Sequence, residues 1–173
     1  SGGSRASWVA GRDNLIVLRT FSKWAGLAGL RVGYGVFPKV LMGALWRLKP
    51  PYNVNCAAQV AALATLQNVD EALDRVHKIV AERDRLLDKL REIAFLEVYD
   101  SAANYILCKV EGMTIDTVRE AMEKRGILLR YLDRAGVQNC IRVSVGTPIQ
   151  DEAVLMVLRE LDRGGGTDDR QTY

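Results

Sequence analysis

The segment Thr20-Phe21-Ser22-Lys23 puts two hydroxyls and one amine directly after a short apolar run at residues 15 to 18. A loop that follows a buried strand is where ligand sites tend to lie in α/β sheets. Arg31 comes soon after, inside GLAGLRVG, whose glycines at 26, 29 and 33 let backbone and ligand approach closely. Two hydroxyls, backbone amides and a guanidinium together suit a phosphate dianion. The spacing matches neither the P-loop nor the GxGxxG pattern, so a nucleotide is not indicated. Taken singly, the lysine reads as a surface charge and the glycines as a tight turn.

A second arginine stands out in CIRVSV. Arg142 alternates there with Ile141 and Val143, so it shares a strand face with Cys140 and Ser144 and points away from the apolar face. Read alone, it is an edge-strand arginine in water. The single histidine, His77, falls on the polar shoulder of a long helix and reads as solvated. Cys56, Cys108 and Cys140 are far apart, with no CxxC pair, so neither a disulfide framework nor a metal site is expected.

These residues need elements to position them. A buried strand is expected at 15–18 and a second strand at 31–37. Pro38 then opens a helix to about Leu48, and Pro50 and Pro51 stop it. An alanine-rich helix follows at 56–66. From 70 to 93 Leu73, Val76, Val80, Leu87 and Leu90 keep helical spacing, which predicts a rod roughly 35 Å long, able to run from one domain into another. Strands at 96–99, 105–110, 127–131 and 141–145, with helices at 114–124 and 150–161, make the remainder a small α+β unit. The domains expected are 1–69, 70–163 and a disordered tail at 164–173.

The 173 residues are 49% hydrophobic and 26% charged, which fits a globular protein. A net charge of +3, with both signs mixed along the helices, gives no reason to expect nucleic acid. No apolar run nears the roughly 20 residues needed to span a bilayer, so no membrane partner is expected and a reducing, cytoplasmic setting fits.

TFSKWAGLAGLRVGYG is similar to the lysine segment of the fold-type I aminotransferases, and most like the histidinol-phosphate aminotransferases. The similarity continues through PYNVN at 51–55, ANYIL at 103–107 and CIRVSVGTP at 140–148. It implies an α/β fold: part of the large domain that binds pyridoxal 5'-phosphate, joined by a long helix to a small α+β domain. It also implies that Lys23 joins the cofactor's aldehyde, while Thr20, Ser22 and Arg31 grip its phosphate. A lysine amine must be neutral for this, which imine formation and burial both favour. The freed amine then moves the substrate's Cα proton. By the same resemblance Arg142 holds the substrate carboxylate or amino-phosphate, and Arg130 is a second anion contact. Asn104 and Tyr34 read as structural.

The resemblance implies small-molecule partners, an amino-phosphate and a 2-oxo acid, and a homodimeric parent. It covers the carboxy-terminal half of such enzymes. The family's aspartate for the pyridine nitrogen, its ring-hydroxyl contacts and its Gly-rich phosphate turn have no counterpart in these residues, so poor catalysis by this chain alone is expected. Two other readings stay open: a related threonine-phosphate decarboxylase, and a non-catalytic α+β module.

Overall fold

The computed structural model describes residues 4–164, so Gly164 ends a helix and the rest of the expected tail lies outside the described residues. The chain divides into two compact units, with the division between Val76 and His77, inside a helix.

The first unit opens with a 3-10 turn at Ala6–Gly11. An antiparallel hairpin of β1 (Val17–Thr20) and β2 (Gly33–Val36) follows, with Val17 opposite Val36 and Thr20 opposite Gly33. A Cβ on Gly33 would stand 2.5 Å from the Arg19 carbonyl oxygen, so only glycine fits this pairing. Helices α1 (Lys39–Leu48), α2 (Cys56–Gln67) and α3 (Val69–Arg91) come next, α3 continuing into the second unit. Asn55 caps α2 by accepting the Ala58 N–H at 2.8 Å. The core of the unit is small: Phe21, Val32 and Ala58, with Trp24, Leu27 and Leu30 against them.

The expected buried strand at 15–18 is not buried. β1 sits two residues further on, Leu18 is 71% exposed, and among the described residues the strand pairs with β2 alone. A two-stranded ribbon offers each face a cover only if another layer packs on it, and here the unit supplies none over β1.

The second unit is an antiparallel sheet in the order β3-β4-β6-β5: β3 (Leu96–Val98), β4 (Tyr105–Val110), β6 (Cys140–Ser144) and β5 (Arg130–Leu132). Ile106, Cys108, Val110, Ile141 and Val143 alternate onto one face and pack with the end of α3, with α4 (Ile115–Glu123) and with α5 (Pro148–Gly164). Burying each such Leu, Ile or Val side chain contributes about 1.5–3 kcal/mol. No helix among the described residues is long and apolar enough to cross a membrane.

β5 begins later than the apolar run at 127 suggests. Gly126 takes φ 70° and the Ile127 N–H donates to the Met122 carbonyl, so Ile127 is spent closing α4. α5 begins earlier than expected because Thr147 and Gln150 cap it reciprocally. The Thr147 N–H reaches Gln150 Oε1 at 2.9 Å, the Gln150 N–H reaches Thr147 Oγ1, and Pro148 takes the first helical position.

Candidate active site

The Lys23 loop is built by a short ladder and one side-chain turn. The Phe21 N–H donates to the Val32 carbonyl and the Leu27 N–H to the Phe21 carbonyl, both at 3.2 Å, closing the loop at its base. Thr20 Oγ1 accepts the Ser22 N–H at 3.0 Å and its hydroxyl donates to Ser22 Oγ at 2.8 Å, a local turn of the kind short hydroxyl residues favour. Trp24 Nε1 donates to the Thr20 carbonyl at 2.8 Å. Phe21 is buried, with its ring 5.3 Å from Trp24 and 6.0 Å from Tyr34. Lys23 thus stands between two anchored neighbours, and its own carbonyl accepts the Gly26 N–H.

The Lys23 side chain lines a concavity of about 670 Å³ with Leu18, Arg19, Thr20, Trp24 and Tyr34, and with Val69, Leu73 and Val76 of α3. That volume lies within the usual range for small-molecule sites. Lysine, threonine hydroxyl and aromatic rings there suit a phosphorylated aromatic aldehyde. Arg31 is arranged differently: it takes φ 57°, its Nη1 donates to the Ala28 carbonyl at 2.9 Å, and it does not line the concavity. Nor is Lys23 sequestered; it is exposed, because its loop rests on the open β1–β2 ribbon. Asn55, whose Nδ2 donates to the Leu30 carbonyl at 3.2 Å, fixes the backbone beside Arg31.

In the second unit the register sets Arg130 directly opposite Arg142. Both therefore lie on the sheet face away from the core, as expected for Arg142. Neither side chain has an ion-pair or hydrogen-bond partner among the described residues, whereas those of Arg83, Arg85, Arg91, Arg119, Arg125 and Arg159 each meet an acid. Like charges directly opposite are unfavourable in a sheet, so an anion between these two would stabilise them. The Asn104 backbone carbonyl accepts the Val145 N–H. His77 is exposed on α3.

Arg19 and Tyr34 in the concavity were not singled out as site residues in the sequence. Arg19 immediately precedes Thr20 on β1, which is the signal that could have marked it.

The charged groups below the sheet are structural. Asp151 is buried, accepts the Gly146 N–H at 2.9 Å, and faces Glu82 and Arg85 on α3. Burial is the main cause that pushes its carboxyl up to about 6, while the Arg85 guanidinium holds Glu82 below the usual carboxylate range. Burial pushes the Cys108 thiol up to about 12, so it is no nucleophile. Among the described residues no group of three His, Cys, Asp or Glu could hold a metal ion.

With the lysine loop and the arginine pair placed, the family is plain. The chain belongs to the family described as aminotransferase class I and II, which it matches over residues 1–159. It is similar to the histidinol-phosphate aminotransferase of Roseiflexus castenholzii, 49% identical over 164 residues, covering 93% of this chain and 44% of the relative. The fold is that of the histidinol-phosphate aminotransferase from Clostridium acetobutylicum, with a TM-score of 0.84 at 23% identity, over 93% of this chain and 49% of that one. The Sinorhizobium meliloti histidinol-phosphate aminotransferase, solved in complex with pyridoxal-5'-phosphate, is 25% identical with a TM-score of 0.77, over 92% of this chain and 44% of that one. The chain thus spans less than half the length of the relatives named.

Proposed function

We propose that this chain forms part of a pyridoxal-phosphate-dependent aminotransferase that moves an amino group between histidinol phosphate and 2-oxoglutarate, in histidine biosynthesis. The observation that carries the reading is the shared concavity of Lys23 and Thr20, with the loop between them locked by Phe21 and the Thr20–Ser22 turn.

Lys23 is the residue for covalent attachment of the cofactor's aldehyde. Thr20 and Ser22 present two hydroxyls for its phosphate, and Arg31 joins them by exchanging the Ala28 carbonyl for the anion. When bound, the cofactor supplies an electron sink for the substrate's Cα. The Lys23 amine, once released, moves the proton from Cα to the carbon that accepts it. Arg142 takes the substrate carboxylate or phosphate through its planar fork, and Arg130 adds a second positive charge. Two unpaired arginines side by side favour a doubly charged, phosphorylated amine over a neutral one. The working form is a homodimer in the cytoplasm, which the three free thiols suit.

The test is optical. The protein carrying an amino-terminal region such as the relatives possess should show the cofactor's absorbance band, and Lys23→Ala should abolish it. A band that survives the substitution refutes the assignment of Lys23.

A further inference from the structure

Arg142 is held in an unusual way. Among the described residues its Nε is buried without a hydrogen-bond partner and no carboxylate neutralises it, and its Cζ lies 5.1 Å from the centroid of the Tyr105 ring. The register explains the meeting: Tyr105 is opposite Ser144 and Leu107 is opposite Arg142, so Tyr105 and Arg142 are diagonal neighbours on one sheet face. A cation over an aromatic face at this distance is attracted to the ring's electrons. Unlike a carboxylate, the ring leaves the cation's charge available to a second partner.

We propose that Tyr105 is a positioning residue for the substrate-anion arginine: its ring fixes the Arg142 guanidinium beside Arg130 without neutralising it. The proposal rests on the reading of Arg142 as the residue that meets the substrate anion. An arginine in water samples many rotamers and loses that freedom on binding. Against the ring, part of the loss has already occurred when the anion arrives. A carboxylate in the same place would position the side chain equally well and compete with the substrate. The tyrosine hydroxyl plays no part, so phenylalanine should serve.

The experiment is a titration of the chain with inorganic phosphate, following the Arg142 Nε–Hε resonance by NMR in the wild type, Tyr105→Phe and Tyr105→Leu. Wild type and Tyr105→Phe should bind phosphate equally and show the Hε signal shifted by the ring. Tyr105→Leu should bind about three- to tenfold more weakly and lose that shift, with the backbone amide spectrum unchanged. Tyr105→Val replaces it should the leucine variant fail to give a dispersed spectrum. A folded leucine or valine variant with wild-type phosphate affinity overturns the proposal. Should the wild type show the ring-shifted signal yet bind no phosphate, the anion reading of Arg142 fails, and the positioning role with it.

Discussion

Leu86, Leu90, Leu155 and Leu158 in the second unit are fully withdrawn from water, whereas Leu18, Trp46, Leu48 and Val60 in the lysine-bearing unit stand 65% to 79% exposed. Both units are rich in apolar residues. The second has a four-stranded sheet with helices packed on one face, and so its core is much the larger. The Lys23 loop instead rests on three buried residues. The Lys23 loop is therefore held on a thin support, while Arg130 and Arg142 stand on a four-stranded sheet. Large exposed apolar surface of this kind marks faces made for contact.

The largest effect should come from the second core. Leu155→Ala is expected to cost about 3–4 kcal/mol in denaturant unfolding, since the site is fully buried and cannot collapse easily. A cost under about 1 kcal/mol would erase the contrast between the units. Next is Asn139, at φ 52°, whose side chain donates to the Val110 and Met113 carbonyls and accepts the Ile115 N–H. Asn139→Ala should cost about 2–3 kcal/mol by the same measurement, through lost hydrogen bonds and an unfavoured backbone.

Asp151 sharpens the comparison through pH. Its folded carboxyl binds a proton more tightly than the unfolded one, so its contribution is fullest below about pH 4 and is lost as pH rises through about 6. Stability of the wild type relative to Asp151→Asn should fall by about 3 kcal/mol across that window, because the amide keeps the Gly146 contact without titrating. A flat difference would remove the buried acid from the account. The smallest effect is expected at Leu18→Ala, within about 0.5 kcal/mol, in keeping with its exposure.

Much of the second unit was legible in the sequence because its strands alternate and its helices keep their spacing. β4 and the side of β6 that bears Arg142 follow directly from that pattern. The direct pairing of Arg130 with Arg142 was not legible, since it depends on the register of strands joined by a loop. Asn139 stayed hidden for the same reason: its partners lie 24 to 29 residues away. In the first unit the Thr20–Lys23 segment was readable as a loop after a strand. The exposure of that strand was not, because an apolar run records what a residue prefers and not whether a layer covers it. Nor was the Arg31 contact with the Ala28 carbonyl legible, because it depends on the left-handed backbone that Arg31 adopts at the end of a 3-10 turn.

The most direct measurement is borohydride trapping of pyridoxal phosphate on the protein, followed by peptide mapping. The account predicts the pyridoxyl group on the peptide containing Lys23, and its absence from the Lys23→Ala variant. Label spread over other lysines such as Lys39, Lys49 and Lys78, with no preference for Lys23, would contradict it.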